Sequence, residues 1–191
     1  MAYLDLAALE AMGFAGLGRD VRISDRAAIH GAEKMRIGDH SRIDDFCVIS
    51  GQVEIGRNVH IAPFCLIAGG TPGIVLEDFA GLAYRVSIFA QSDDYSGATM
   101  TNPTVPARYK QEIHAPVRVG RHVILGAGAI ICPGVDLGDG SAVGAGSLVL
   151  KSCDDWTILA GVPARRLKDR DRSLLALEAE YLALEGSAMT P

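Results

Sequence analysis

Aliphatic residues recur every six positions along most of the chain. Eighteen such positions hold only Leu, Ile or Val, in four runs separated by steps of eight, nine and thirty-one residues. Neither the 3.6-residue period of a helix nor the alternation of a half-buried strand gives this spacing. Short strands joined by tight corners do give it. Three hexapeptides in each coil predict an all-β solenoid, with six coils of parallel strands stacked around a continuous aliphatic core.

A second regularity supports the same repeat. The residue four places after each aliphatic is Val, Ala, Ser, Cys or Thr in seventeen of the eighteen repeats, and Glu33 is the exception. A small residue at this position suits a strand followed by a tight corner. Three of the four cysteines, Cys47, Cys65 and Cys153, fall at this position. They are therefore predicted to be small buried residues rather than metal ligands or disulfide partners.

Composition and charge limit the possible classes of protein. The chain of 191 residues is 49% hydrophobic but only 6% aromatic, and it has 22 glycines, as a core of stacked aliphatics with glycine corners requires. A net charge of −5 disfavours nucleic-acid binding as the main role. The N-terminus has no basic segment and no uncharged apolar run approaches 18 residues. A soluble, cytoplasmic protein with reduced cysteines is expected.

The two ends of the chain depart from the repeat. Residues 1–16 carry a short amphipathic pattern that predicts an N-terminal capping helix, and residues 17–166 form the predicted solenoid. Residues 167–191 are predicted to be a C-terminal helix and tail. Their apolar residues have near-heptad spacing, at Leu167, Leu174, Leu177, Tyr181 and Leu184. This helix is expected to cover the open end of the solenoid or to pack against a neighbouring subunit.

The repeat over residues 17–166, together with the sequence AGVPARR at residues 160–166, resembles the hexapeptide-repeat acyltransferases. The nearest branch is that of the galactoside and maltose acetyltransferases. The resemblance implies a left-handed parallel β-helix of triangular section that assembles as a homotrimer. It also implies direct transfer of an acetyl group from acetyl-CoA, the cosubstrate, to a hydroxyl or amino group of a sugar or nucleotide sugar. Such a step belongs to the synthesis of surface polysaccharide or lipopolysaccharide.

The resemblance also identifies residues for the acyl donor. The runs at residues 119–128 and 143–151 match the CoA-binding coils of the family, where small residues admit the extended pantetheine arm. Cations near the end of the solenoid are expected to meet the phosphates of CoA. The candidates are Gly126, Ala127, Gly144, Ala145, Lys151, Arg165 and Arg166. The nearby Arg170 and Arg172 are instead predicted to be solvated, with the adjacent aspartates as partners.

The step of thirty-one residues inserts a loop, predicted at residues 94–118, and in the resembled family such a loop overhangs the acceptor site between two subunits. There a strand of the type V-x-I-x-x-x-T-H-P carries a histidine that acts as general base. The matching stretch, VSIFAQSDD at residues 86–94, has Asp93 at the histidine position. A carboxylate is a weak base unless burial or a like charge, here Asp94, raises its pKa. Alternatively Asp93 orients a histidine, or the acceptor is an amine that needs only a weak base.

Three histidines are candidates for the general base. His122 lies on the first predicted strand after the loop, His60 lies at a different corner where it can face a neighbouring subunit's loop, and His114 lies at the end of the loop. For each one the alternative is an exposed corner residue. The catalytic candidates are therefore Asp93, His122 and His60.

Two other functions share this fold. A zinc hydratase of the γ-carbonic anhydrase type needs three histidine ligands, partly in an H-x4-H pair. The five histidines, at positions 30, 40, 60, 114 and 122, include no pair five residues apart, so no metal site is predicted. A non-catalytic scaffold is the other alternative, but it has no need for the AGVPARR sequence or for the small-residue coils.

Overall fold

The computed structural model of the protein describes residues 2–188. Two helices, α1 (Leu6–Ala11) and α2 (Leu174–Ala188), flank twenty strands, and two single 3₁₀ turns span Ala32–Lys34 and Ala107–Tyr109. The strands are β1 (Gly16–Leu17), β2 (Arg22–Ile23), β3 (Ala28–His30), β4 (Met35–Ile37), β5 (Arg42–Ile43), β6 (Val48–Ile55), β7 (His60–Ile61), β8 (Leu66–Leu76), β9 (Gly81–Leu82), β10 (Ser87–Phe89), β11 (Gln91–Ser92), β12 (Ile113–His114), β13 (Val117–Val119), β14 (Ile124–Leu125), β15 (Ile130–Ile131), β16 (Asp136–Leu137), β17 (Ala142–Val143), β18 (Leu148–Val149), β19 (Thr157–Gly161) and β20 (Ala164–Asp169).

The strands stack in three parallel faces, which makes the protein a left-handed β-helix of triangular section. The predicted aliphatics pair in register from coil to coil, so the hexapeptide prediction is confirmed. The first face stacks Leu17, Ile37, Ile55, Leu76, Val119 and Leu137. The second stacks Ile23, Ile43, Ile61, Leu82, Leu125 and Val143. The third stacks Ile29, Ile49, Ile67, Ile88, Ile131 and Val149.

The core is the column of these side chains. All of them are buried except Leu17 and Ile29 in the first coil, which are partly buried. Each aliphatic therefore contacts the one above and the one below, and the small residues fill the corners between them. The burial of Cys47 and Cys65 at corner positions agrees with their predicted role, and all four cysteines are free thiols.

The solenoid is longer than the sequence repeat predicts. Cys153 forms a parallel bridge to Leu137, and β19 pairs in parallel with β17, so a partial seventh coil follows the six. The chain then reverses into β20, which pairs antiparallel with β19. The predicted boundary at residue 166 is therefore wrong. Residues 164–169 form a strand because their backbone pairs with β19, and α2 begins only at Leu174.

At two of the three corners, residues other than glycine share a left-handed position from coil to coil, whereas the left-handed positions of the third corner outside the long loop are all glycines, at Gly31, Gly51, Gly70, Gly73 and Gly134. The first corner, between the first and second faces, has positive φ at Asp20, His40, Asn58, Phe79, His122, Gly140 and Trp156. The second corner, between the second and third faces, has it at Phe46, Phe64, Arg85, Gly128 and Gly146. Residues other than glycine adopt this conformation at a cost of roughly 1 kcal/mol each. Each corner therefore presents one column of side chains along the axis of the solenoid.

The third corner, between the third and first faces, receives every insertion. The step of eight residues holds the 3₁₀ turn Ala32–Lys34, and the step of nine lies within the irregular strand β8. The step of thirty-one is the long loop, whose stem is an antiparallel ribbon of β11 and β12. The predicted loop of residues 94–118 is therefore too long at its end, because residues 113–114 and 117–119 are strands.

Both helices lie outside the solenoid. Helix α1 occupies only part of the predicted segment 1–16, and its N-cap Asp5 accepts a hydrogen bond of 2.8 Å from the backbone N of Ala8. Helix α2 packs along the first corner of its own chain, where Asn58 donates to Tyr181 at 3.0 Å. The prediction that it covers the open end of the solenoid is therefore wrong, and packing against a neighbouring subunit stays a prediction. Within residues 2–188 no helix is both long and apolar enough to cross a membrane.

Arg170 fixes the segment that leads into α2. Its Nη1 donates to the carbonyl oxygens of His122, Gly140 and Ser141 at 2.7, 3.0 and 3.2 Å. The prediction that Arg170 is solvated and paired with an aspartate is therefore wrong. A guanidinium has several donors, so it can bond to several corner carbonyls together, and that of Ser141 also accepts from the backbone N of Ile124.

Candidate active site

The long loop begins with two aspartates that differ in their contacts. Asp94 accepts hydrogen bonds from the backbone N and Oγ of Ser96 at 2.8 and 2.9 Å, and from Oγ1 of Thr99 at 3.1 Å. These bonds lower the pKa of Asp94 below its ordinary value. Asp94 therefore serves to hold the loop together.

Asp93 has fewer partners. It is half-buried directly after β11, and its Oδ1 accepts one bond of 3.3 Å from the backbone N of Asn102. The remaining acceptor positions of this carboxylate have no protein donor among residues 2–188. Asp93 therefore keeps the capacity to accept a hydrogen bond from a ligand at the base of the loop.

His122 lies away from the loop, under α2. Its ring stacks on Phe79 with centroids 5.0 Å apart, and its Nε2 is 2.8 Å from Oε2 of Glu178. Its side chain is only 11% exposed. Burial lowers the pKa of His122, and the charges of Arg121 and Arg170 act in the same direction. The geometry does not support the prediction that His122 is a catalytic base: it anchors α2 at the first corner, whereas Asp93 leaves the solenoid at the third.

His60 projects from the second face beside a buried carboxylate. Its Nε2 is 2.8 Å from Oδ2 of Asp44, whose side chain is 3% exposed, and 2.8 Å from Nη2 of Arg42. Asp44 also lies 3.3 Å from the hydroxyl of Tyr3. A buried carboxylate that orients an exposed imidazole suits acid–base chemistry. Within one chain, however, the structure does not bring His60 together with Asp93.

His114 is the histidine that lies in the same ribbon as Asp93. It pairs with Gln91 across β11 and β12, two positions before Asp93, and its Nε2 is 3.1 Å from Oε2 of Glu112. The hexapeptide count favours His122 over His114 because it does not show how the loop stem pairs. The sequence does contain a signal for this pairing. A short polar stretch flanks each end of the loop, and the two ends of the loop must meet where the coil resumes.

Three of the predicted donor-binding cations meet at the last coils. Lys151, Arg165 and Arg166 line one cleft of about 340 Å³, together with Ser152 and Thr157. The antiparallel pairing of β20 with β19 brings the two arginines there, and all three cations are exposed. Arg166 has a partner of its own, Asp169, at 2.6 Å. A cluster of three cations in an acidic chain suits the phosphates of CoA.

Gly126 and Gly144 also lie where neighbouring coils approach closely. A Cβ on Gly126 would lie 2.4 Å from the backbone N of Ala145, and one on Gly144 would lie 3.0 Å from Cβ of Ala160. Stacking of the coils therefore demands glycine at position 126 and favours a residue without a side chain at position 144. Their neighbours at the second corner, Ala127 and Ala145, are exposed. The bare corner strip of the last coils offers room for an extended pantetheine arm, and a direct contact of the arm with Gly126 or Gly144 stays a prediction.

Metal chemistry finds no support in these contacts. Among residues 2–188 no group of three or more His, Cys, Asp or Glu side chains is arranged to hold a metal ion. The zinc-hydratase alternative therefore has no candidate site in the described part of the chain.

Comparison with known proteins identifies the family. Residues 34–69 match the family "Bacterial transferase hexapeptide (six repeats)", and residues 116–151 match "Hexapeptide repeat of succinyl-transferase". The chain is 41% identical over 184 residues to the dTDP-4-amino-4,6-dideoxy-D-glucose acyltransferase of Escherichia coli, covering 95% of each chain. This relative is an enzyme, which contradicts the alternative of a non-catalytic scaffold.

Solved structures agree with this relationship. AntD, an N-acyltransferase from Bacillus cereus in complex with dTDP and 3-hydroxybutyryl-CoA, is 42% identical with a TM-score of 0.95, over 96% of this chain and 98% of that one. A variant of AntD in complex with dTDP-4-amino-4,6-dideoxyglucose and coenzyme A has a TM-score of 0.93, over 95% and 97% of the two chains, at 42% identity. The chain therefore belongs to the hexapeptide-repeat sugar acyltransferases, which take an acyl group from a coenzyme A thioester.

Proposed function

We propose that the protein transfers an acyl group from acyl-CoA to the amino group of a dTDP-4-amino-4,6-dideoxyhexose. The observation that carries the proposal is the 41% identity, over nearly the whole chain, to an enzyme named for this acceptor. The amine nitrogen attacks the thioester carbonyl, a C–N bond forms and the C–S bond breaks. The leaving thiolate of CoA ends with the proton that the amine loses, so the products are an amide and free CoA.

Asp93 is the residue that we assign to the acceptor amine. Its carboxylate has free acceptor capacity at the base of the loop. An amine is nucleophilic once deprotonated, so it needs only a group that accepts its hydrogen bond and orients its lone pair. A carboxylate is sufficient there, which accounts for an aspartate at the position where related enzymes that acylate a hydroxyl carry histidine. His60 stays a prediction, as a base contributed from a neighbouring subunit.

A product assay tests the proposed function. The protein is incubated with acetyl-CoA or 3-hydroxybutyryl-CoA and with dTDP-4-amino-4,6-dideoxyglucose, and thiol release is followed together with the mass of the nucleotide sugar. One acyl group per released thiol is expected on the amino sugar, and none on dTDP-glucose, which has a hydroxyl at the same carbon. Turnover with the hydroxyl sugar alone, or with neither, would contradict the proposal.

The cations of the last coils give a prediction for the donor. Replacing Arg165 or Arg166 with Ala is expected to raise the KM for acetyl-CoA about tenfold, because each removes a charge-assisted contact to a phosphate. The same variants should use acetyl-pantetheine, which lacks the nucleotide phosphates, as well as the unaltered protein does. Arg172→Ala, which removes a cation that lies over Trp156, is the control with unchanged KM. An equal rise in the KM for acetyl-CoA and for acetyl-pantetheine would show that the arginines do not contact the phosphates.

A trimer is supported by the outer surface of the third face. The outward column that precedes its buried aliphatics has no ionisable side chain, whereas the same column of the second face begins with Arg22, Arg42 and His60. The uncharged row is Ala28, Val48, Leu66, Ser87, Ile130 and Leu148. We propose that this row lies against a neighbouring copy. Sedimentation of the unaltered protein should show a species of three times the mass of the chain. Ile130→Glu should lower the mass of this species. A monomer in the unaltered protein would refute the proposed assembly.

The free cysteines support the cellular location that the sequence predicts. All four cysteines are free thiols, as a reducing compartment favours. A cytoplasmic location stays a prediction.

A further inference from the structure

The second corner carries a ladder of planar side chains on its N-terminal half. This second-corner ladder consists of Arg26, Phe46, Phe64 and Arg85, one from each of four successive coils. The two phenyl rings stack with centroids 5.0 Å apart and planes inclined by 19°. Arg26 lies 5.7 Å from the Phe46 centroid, and Arg85 lies 5.9 Å from that of Phe64. Beyond Arg85 the same column continues as Gly128 and Gly146, where there is no side chain.

The two phenylalanines of the ladder have an unfavourable backbone conformation, and the rest of the chain leaves about half of each side chain exposed. Phe46 and Phe64 adopt φ of 61° and 66°, yet their side chains remain 47% and 52% exposed. Phe79 at the first corner has the same conformation, but its ring is covered by His122 and Tyr181. Within residues 2–188 nothing comparable covers the second-corner rings. Strained backbone that presents an exposed aromatic ring is more useful for binding than for folding.

A groove runs beside the ladder. Phe64, Tyr84 and Arg85 line one part, Ala127 and Gly128 line the other, and the volume is about 490 Å³. Tyr84 is 61% exposed, so it adds a second ring to the groove. No carboxylate among residues 2–188 pairs with the exposed guanidinium of Arg85. The groove therefore offers two aromatic surfaces and one cation that is free to meet an anion.

The order of these groups along the solenoid axis gives the ligand a direction. Adjacent coils are about 4.8 Å apart, so Phe64 and Gly128 are separated by about 10 Å along the axis with Arg85 between them. Aromatic surface, cation and bare backbone thus follow one another. A nucleoside diphosphate sugar has its flat base, its phosphates and its sugar in the same order. The bare end is continuous with the strip at Ala127 and Ala145, which we assigned to the pantetheine arm of the donor.

We propose that this groove binds the nucleotide part of the acceptor, with the pyrimidine against Phe64 and Tyr84 and the diphosphate on Arg85. The sugar then points toward Ala127 and Gly128, where its amine meets the thioester. Because Asp93 of the same chain leaves the solenoid at the third corner, the loop of a neighbouring copy supplies the Asp93 that meets this amine. Phe46 supports the back of Phe64 and does not line the groove. This inference rests on the proposed function, because that function supplies a nucleoside diphosphate sugar as ligand.

Calorimetric titration of the full chain with dTDP tests the groove. Asn tolerates left-handed backbone, so Phe64→Asn removes the ring without changing the corner. A rise in Kd for dTDP of about tenfold or more is expected, since stacking of a base on one aromatic side chain contributes this much. Arg85→Gln should also weaken dTDP, and its effect should shrink in high salt. The Kd for CoA should be unchanged in both variants.

Phe46→Asn is the matched control. This variant loses the same ring–ring stack at the same kind of corner. Because position 46 lies one coil outside the groove, the Kd of the variant for dTDP should stay within about twofold of that of the unaltered protein. Equal weakening by Phe46→Asn and Phe64→Asn would show that the ladder acts through the fold, and the inference would be wrong. Unchanged dTDP binding in Phe64→Asn would also refute it while leaving the proposed function intact. If the unaltered chain binds CoA but not dTDP, the proposed acceptor and this groove are both wrong.

Discussion

Replacing Asp93 with Asn is expected to lower kcat/KM for the amino-sugar acceptor by about 10- to 100-fold. The amide is nearly the same size, but it carries no charge, and the hydrogen bond to a cationic or reacting amine loses its charge-assisted part. Asp93 otherwise accepts one backbone bond, from Asn102, so the fold should tolerate the change. Steady-state rates with saturating acyl-CoA, together with the Kd for CoA, separate a loss in chemistry from a loss in donor binding.

Glu112→Gln is the control for Asp93. Glu112 is a partly exposed carboxylate in the same loop, next to the ribbon of β11 and β12, and its pKa is lowered by its bond to Lys110. The substitution removes the same charge from the same loop, so it should leave kcat/KM within about twofold. Equal losses in the two variants would show that only the net charge of the loop matters, and Asp93 would then have no specific contact with the amine.

Replacing Gly126 with Ala is expected to destabilise the solenoid by about 3 kcal/mol, at the upper end for an overpacked site. The new Cβ would meet the backbone N and Cα of Ala145 at 2.4 and 2.8 Å, and the next coil cannot move away because it is itself stacked. For a chain of this length the melting temperature should fall by roughly 6 to 12 °C. Thermal unfolding followed by circular dichroism measures the change.

Two glycines provide matched controls for Gly126. Gly81 has an ordinary φ and open space where a Cβ would lie, so Gly81→Ala should change the free energy of unfolding by no more than about 0.5 kcal/mol. Gly128 also has open space, but its φ is +70°, so Gly128→Ala should cost roughly 1 kcal/mol. If Gly126→Ala instead kept the melting temperature and weakened CoA, Gly126 would have the direct donor contact that the sequence suggested.

Most of the solenoid follows from local sequence. Each hexapeptide specifies one strand and one corner, and each coil pairs only with its neighbours, so the aliphatic period alone places Ile43 beside Ile61 and Ile49 beside Ile67. The period could not reveal the partial seventh coil, because Cys153 occupies the aliphatic position there and β20 reverses direction. The apolar spacing also predicts the start of α2 too early. Spacing alone does not distinguish a closing strand from the beginning of a helix.

The sequence predicts only part of the candidate site. Asp93 and the three cations at Lys151, Arg165 and Arg166 were identified from motifs, and the structure brings these cations to one cleft. The second-corner rings were missed because they lie in coils that carry no motif. Their signal was present: Phe46 and Phe64 occupy the same repeat position as Arg85, and the repeat places these positions in one column.

The sequence by itself determined the fold, the register and the corner from which the loop leaves, because these depend on contacts between neighbouring coils. Only the tertiary structure shows which residues the histidines and the C-terminal segment contact, because these contacts join parts of the chain far apart in sequence. His122 meets Glu178 across 56 residues, and Arg170 meets the carbonyl of His122 across 48. Neither contact leaves a periodic trace in the sequence. Likewise, only the structure shows that His122 is buried under α2 and that the next coil stacks closely on Gly126.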